Sequence, residues 1–171
     1  PCARPLSALC ASAGRQTAWR QDPGMSLPEI FEAGPEAADL YAALHAQCFP
    51  DPWSEADFAR LLASSGVQGL IARAQDDPQG LSLIRSVAGE CELLTIGVLP
   101  VARRTGVGAF LLAQSEIAAR RAGSKRLFLE VSERNLAASG LYEREGYRQI
   151  GLRKGYYRDG AAARVLARDL V

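Results

Sequence analysis

Several things are scarce in this 171-residue chain, and each scarcity removes a class of function. There is one histidine, His45, and the four cysteines, Cys2, Cys10, Cys48 and Cys91, stand far apart with no C-x-x-C pair. A zinc site needs several such ligands at short local spacings, so no metal is expected. Long apolar runs are missing too. None approaches the ~18 residues that a membrane-spanning helix requires, and no membrane partner is expected. Net charge is almost absent, with 20 Lys and Arg against 19 Asp and Glu. Bulk electrostatics therefore offers no reason to expect direct nucleic-acid binding. Acids are absent from the start of the chain, where none precedes Asp22, and the single methionine, Met25, stands just before the pattern becomes regular. Residues 1–25 read as a disordered extension or a start artefact, and 26–171 as one domain. Cys48 and Cys91 fall in apolar segments, as buried free thiols do. Nothing points to an oxidising compartment, and a cytoplasmic location is expected.

What is present is a regular alternation of periods. Residues 29–33 suggest a short strand, and Gly34-Pro35-Glu36 a helix start with Pro early and acid in the first turn. Ala37, Leu40, Tyr41, Leu44 and Cys48 then recur at helical spacing. Ser54, with Asp57 three residues on, caps a second helix whose apolar side is Phe58, Leu61 and Leu62. Strands are expected at 67–73, 81–87 and 91–98, with turns at 76–80 and 88–90. The period next switches to a helix ending near Gly123, with Val107, Phe110, Leu111, Ile117 and Ala118 on its buried face. Residues 126–131 are nearly continuous in apolar side chains, as in a strand buried on both faces. Asn135 caps a helix over 136–145, and two strands follow, at 147–152 and 164–170. The expected fold is α/β, a mixed and mostly antiparallel twisted sheet flanked by about four helices.

The most informative segment is Arg103-Arg104-Thr105-Gly106-Val107-Gly108, between a strand and a helix. Glycines there let backbone N–H groups turn toward a ligand, and a helix N-terminus adds positive partial charge. Two arginines at its mouth suit a pyrophosphate. No Gly-Lys-Ser/Thr follows, so it is not a Walker loop. Leu111 replaces the third glycine of a dinucleotide fingerprint.

Arg-x-x-Gly-x-Gly after a strand resembles the acetyl-CoA signature of the GNAT superfamily of N-acetyltransferases. The likeness extends to Glu92-Leu93-Leu94-Thr95-Ile96-Gly97-Val98-Leu99-Pro100, similar to the family's splayed strand, and on through Leu129-Glu130-Val131, Asn135, Leu141-Tyr142 and Glu145-Gly146-Tyr147. Pro52-Trp53-Ser54-Glu55 and Tyr156-Tyr157 resemble features of the ribosomal-protein-alanine N-acetyltransferase group. Several short motifs in the right order, over residues 29–170, make the signal specific.

The resemblance implies acetyl-CoA as cosubstrate and splayed central strands. It implies that Arg103, Arg104, Thr105, Gly106, Val107, Gly108 and Ala109 hold the cofactor's phosphates, and that the backbone of Ile96, Gly97 and Val98 pairs with its pantetheine arm. Gly97 stands where the family more often has Ala, which is expected to loosen this strand. Asn135 is either only a helix cap or also a cofactor contact, and the two are compatible. Glu130 falls on the position of the general base. From the residue alone it is either a solvent-facing strand glutamate or a carboxylate that loss of water makes more basic. Tyr142 falls on the general acid beside the thioester sulfur, and is otherwise a core aromatic of a helix face. Trp53, Tyr156 and Tyr157 either shape the acceptor groove or pack in the core. The implied reaction is acetylation of a protein N-terminus, with ribosomal protein S18 the acceptor of the resembled group, by a monomer or weak dimer. A small amine, a lysine side chain, or non-catalytic acyl-CoA binding are the alternatives on the same scaffold.

Overall fold

The computed structural model describes residues 28–170, and the expectation about residues 1–25 lies outside them. Its centre is one seven-stranded sheet: β1 (Glu29–Glu32), β2 (Val67–Ala74), β3 (Asp77–Val87), β4 (Glu90–Val98), β5 (Arg126–Ser132), β6 (Arg148–Arg153) and β7 (Ala163–Asp169). The spatial order is β1-β2-β3-β4-β5-β7-β6. Only β4 and β5 are parallel, because helix α3 (Val107–Arg121) carries the chain between them; a parallel pair needs such a crossover. Helices α1 (Ala38–Cys48) and α2 (Glu55–Leu62) cover one face. Helices α3 and α4 (Leu136–Arg144) pack on the other. Among the described residues no helix is long and apolar enough to cross a membrane.

The element that creates the site is an interruption. β4 and β5 pair only from Glu90↔Arg126 to Leu93↔Leu129, although β4 runs on to Val98 and β5 to Ser132. The cause is local. Leu83 faces Thr95 and Ile84 faces Leu93, so Leu94 is an extra residue, a β-bulge against β3. One extra residue reverses which side chains face which way. Before it, Cys91 and Leu93 point into the α3 core; after it, Ile96 and Val98 do, while Thr95 turns to His45 on the α1 side. The strands part beyond the bulge, and a wedge-shaped opening separates them.

Several expectations are corrected. The hairpin between β2 and β3 turns at Gln75-Asp76, with Gln75 at a left-handed φ of 56°, so residues 77–80 belong to β3 and not to a turn. Pro78 is tolerated in the strand because it pairs with Arg73 at a register shift, where the ladder is already interrupted. Gly80 serves close approach: a Cβ there would stand 2.5 Å from the Gly97 carbonyl oxygen. On α1 the buried face is Ala38, Tyr41, Leu44 and His45, with Leu40 37% exposed. A 3-10 turn at Pro35–Ala37 precedes the helix, so Ala37 lies just before it and packs against the same core together with Cys48. The face of α3 includes two buried polar residues, Ser115 and Glu116, while Phe110 and Ile117 are only half-buried. β5 is not buried on both faces. It alternates, with Leu127, Leu129 and Val131 inward and Phe128 and Glu130 half-exposed on the other side. The second helix is as expected, with a capping box in which the Ser54 hydroxyl accepts from the Asp57 N–H and the Asp57 carboxylate from the Ser54 N–H.

Candidate active site

On the α3 side of the opening lies the glycine loop. The chain leaves β4 through a 3-10 turn at Pro100–Ala102, and Arg104 and Gly106 take left-handed φ values of 68° and 96°. Gly106 is the N-cap of α3, and it offers no side chain to the helix. The first N–H groups of a helix have no intrahelical acceptor, so those of Val107, Gly108 and Ala109 point out of the end of α3 without a side-chain cap. No acid stands in the first turn. A Cβ on Gly108 would meet only Leu141 and Val98 side chains, at 3.5 Å. Exposed N–H groups, an uncapped helix end and the nearby Arg103 and Arg104 together fit a pyrophosphate. The Thr105 hydroxyl donates to the Ala102 carbonyl at 2.7 Å and fixes the turn. Arg103 does not point only to the mouth of the loop. Its Nε donates to the Val98 carbonyl at 3.1 Å.

The end of β4 has a free polar edge. The Leu99 N–H donates to the Gln79 carbonyl on β3. Strand residues alternate in direction, so the N–H groups of Ile96 and Val98 face away from β3, into the opening. Gly97 packs tightly against the end of α1. A Cβ there would lie 3.0 Å from Cys48 Cβ and Sγ and from the Phe49 ring, so the glycine admits the end of α1.

The other side of the opening carries titratable groups. Glu130, 23% exposed in its side chain, pairs with Arg153 at 3.2 Å. Hydrogen bonding with the same carboxylate, and its charge, push the Tyr156 phenol above its ordinary range. Tyr157 stands edge-on to Tyr156, 5.3 Å between ring centres. Burial, then the Glu130 charge, pushes its phenol up as well. Tyr142 is buried from α4, packed edge-on against Tyr147 at 5.8 Å. Burial and the neighbouring Tyr157 raise its phenol well above the usual value. A groove of about 640 Å³ opens beside Glu130, with Phe128, Glu92, Arg85 and Arg153 in its walls.

Asn135 is the cap that the sequence suggests, whereas Trp53 is placed differently. Asn135 caps α4, its Oδ1 accepting from the Ala138 N–H at 3.1 Å. Trp53 does not line the groove. It stacks on His45 at 5.1 Å and leans on Phe58 at 5.5 Å. Its loop still reaches the β6–β7 loop, where Asp51 pairs with Arg158 at 4.0 Å. Sequence reasoning missed Arg153 and Phe128. The period of two along β5 marks Phe128 as a neighbour of Glu130, whereas nothing local marks Arg153.

His45, which the sequence reading gave no role, organises the wall behind Trp53. Its Nδ1 accepts from the Trp53 N–H at 3.2 Å, which leaves the ring proton on Nε2, directed to Thr95 Oγ1 at 3.3 Å. Burial lowers its pKa to about 4. An unfolded histidine takes its proton near ~6.5, so this site's stabilisation is complete above that pH and drains as pH falls toward 4. At pH 5 the deficit is about 2 kcal/mol. Urea unfolding at pH 7 and pH 5 should show that loss in the wild type and not in His45→Gln; equal losses in both proteins would disprove it.

The sequence profile of the Acetyltransferase (GNAT) family matches residues 38–147. The N-alpha-acetyltransferase RimI of Mycobacterium tuberculosis (strain ATCC 25618 / H37Rv) is 38% identical over 139 residues, 77% of this chain and 86% of that protein. The ribosomal protein bS18-alanine N-acetyltransferase of Escherichia coli (strain K12) is 32% identical over 126 residues, 71% of this chain and 83% of that one. The crystal structure of the ribosomal-protein-S18-alanine N-acetyltransferase from Escherichia coli superposes with a TM-score of 0.78 at 25% identity, over 84% of this chain and 94% of that chain.

Proposed function

The chain belongs to the acetyltransferase (GNAT) family, and on that premise we propose that it acetylates the N-terminal α-amino group of a protein, with a ribosomal protein such as S18 as acceptor. It is an N-acetyltransferase and uses acetyl-CoA, as its family does. What carries the acceptor assignment is that relatives at 38% and 32% identity, each matched over more than two thirds of its length, are named for protein N-terminal acetylation.

The geometry supports a division of labour across the β4–β5 opening. We assign the phosphates to the N–H groups of Val107, Gly108 and Ala109, with Arg103, Arg104 and Thr105 alongside and Gly106 shaping the turn. The outward N–H groups of Ile96 and Val98 suit the amides of the pantetheine arm. The Val98 carbonyl, already bonded to Arg103, keeps one lone pair free. Asn135 is read as a cap that also borders the cofactor. Tyr156 and Tyr157 flank the acceptor, while Trp53 supports the loop behind it.

Chemistry follows from proton accounting. An α-amino group with pKa near ~8 arrives mostly protonated and must lose a proton to become a nucleophile. Glu130 is assigned to take it, directly or through water. The amine nitrogen then bonds to the thioester carbonyl carbon and gives up its second proton to solvent water, the C–S bond breaks, and the leaving thiolate is protonated from water. Tyr142 is assigned to donate a hydrogen bond to that sulfur. Its burial makes it a weaker acid than a free phenol, so it stabilises the thiolate without surrendering its proton outright. A hydrogen bond to a charged group contributes about 1.5–3 kcal/mol. Tyr142→Phe should therefore lower kcat about 10- to 100-fold and leave acetyl-CoA affinity unchanged. Steady-state kinetics with calorimetric binding checks both halves, and an unchanged kcat removes the role.

The acceptor is tested by mass spectrometry of acetyl-CoA reactions with an alanyl N-terminal ribosomal peptide, a lysine peptide blocked at its N-terminus, and a panel of polyamines and aminoglycosides. Acetyl on the α-amine is expected. Transfer only to the ε-amine or to a small amine would replace this reading.

A further inference from the structure

Glu130 and Arg153 are not neighbours in the sheet. Glu130 lies on β5 and Arg153 at the end of β6, with β7 between them. Glu130 pairs with Val165 on β7, whereas Arg153 pairs with Ala163, so the two are also offset along the strands. Two strand spacings alone separate their backbones by roughly 10 Å. Only a long side chain laid across β7 can close that distance, and Arg153 does so, reaching Glu130 Oε1 at 3.2 Å.

The fold does not require that reach. β6 is held to β7 by its own ladder, and Arg164 ties the same region by donating to Gln149 and Glu143, each at 2.8 Å. The Arg153 side chain is 58% exposed, and an ion pair so exposed contributes little to stability. What the contact does is local. The Arg153 guanidinium also lies over the Tyr156 ring at 5.6 Å, and hydrogen bonding with Glu130, together with its charge, raises the Tyr156 phenol. Arg153 thus stands between one carboxylate and one aromatic ring at the edge of the groove. A glutamate alone on an open sheet face would be free to change rotamer, and a base displaced by an ångström can lose much of its rate.

We propose that Arg153 is a positioning residue, which with Tyr156 holds the Glu130 carboxylate in the orientation that meets the acceptor amine. This rests on the assignment of Glu130 as the base. Arg153 touches neither the amine nor the thioester in this account; it acts through Glu130.

The test measures kcat and KM for acetyl-CoA and for an alanyl N-terminal peptide in the wild type, Arg153→Gln, Arg153→Lys, Glu130→Gln and the double variant Glu130→Gln/Arg153→Gln, with the thermal midpoint of each. Arg153→Gln should lose about tenfold in kcat, with the KM for acetyl-CoA and the thermal midpoint nearly unchanged. Arg153→Lys should restore a large part of the loss. The double variant should be no slower than Glu130→Gln alone, because a residue that acts only through another adds nothing once that other is gone. Wild-type kcat in Arg153→Gln beside a crippled Glu130→Gln overturns the positioning role and spares the assignment of the base. Independent, multiplicative losses in the double variant also overturn it. Full activity in Glu130→Gln, or no turnover by the wild type with the peptide, overturns the assignment and this inference with it.

Discussion

Glu130→Gln is expected to lower kcat about 10²- to 10⁴-fold, the span that general-base catalysis covers, with acetyl-CoA binding intact. The substitution keeps the shape of the side chain and removes its ability to take a proton. It is placed to do harm only to chemistry, because Glu130 projects from the side of β5 opposite Leu129 and Val131, away from the α3 core. The glycine loop lies on the α3 side. One local effect accompanies the loss: the introduced amide offers a donor as well as an acceptor between Arg153 and Tyr156, so its oxygen must be the atom turned to them. Steady-state kinetics with the alanyl peptide and calorimetry with acetyl-CoA decide the matter. A kcat within about twofold of the wild type would mean that solvent, or another group, takes the proton.

Much of this site can be read from the sequence, and the parts that cannot share a physical character. The glycine loop, the Ser54 capping box and the Asn135 cap depend on residues within a few positions of one another, so their spacing carries the information. Gly80 and Gly97 are different. Local rules make each a turn or a flexible point, yet each is glycine because a distant part of the chain comes close: β4 against Gly80, and Cys48 with Phe49 against Gly97. The bulge at Leu94 is invisible for a related reason. It is defined by register against β3, and β4 alone reads as an ordinary strand. Arg153 belongs to the same class, since its partner is two strands away. The order of elements and the local turns and caps were legible; the long-range contacts that open the sheet and bring Arg153 to Glu130 were not.

The largest effect on stability is expected at Glu116, which the mechanism does not use. This carboxylate is 4% exposed on α3. It accepts from the Tyr147 hydroxyl at 3.1 Å and from Arg168 at 2.9 Å on one oxygen, and faces Arg120 at 3.7 Å with the other. Arg120 in turn donates to the Leu170 carbonyl at 2.7 Å, so the cluster joins α3 to β7 and to the segment after α4. Glu116→Ala leaves the Tyr147 hydroxyl and the Arg168 guanidinium without their acceptor and opens a gap beneath them. Breaking a buried pair in this way costs about 3–5 kcal/mol. The lower end, about 3 kcal/mol, applies because Arg168 is 34% exposed and regains water. For a domain of this size that lowers Tm by about 10 °C, readable by calorimetry. Glu116→Gln retains an acceptor oxygen and should lose clearly less. The pH dependence separates charge from packing. Burial raises the carboxyl's pKa, with Arg168 and Tyr147 opposing, so the folded chain holds this proton more tightly than the unfolded one. Its contribution to stability then declines as pH rises from the ordinary carboxylate range of ~4.3 through the raised folded value. That slope has the opposite sign to that of His45. It should vanish in Glu116→Gln, and a slope that survives the substitution would place the titration elsewhere.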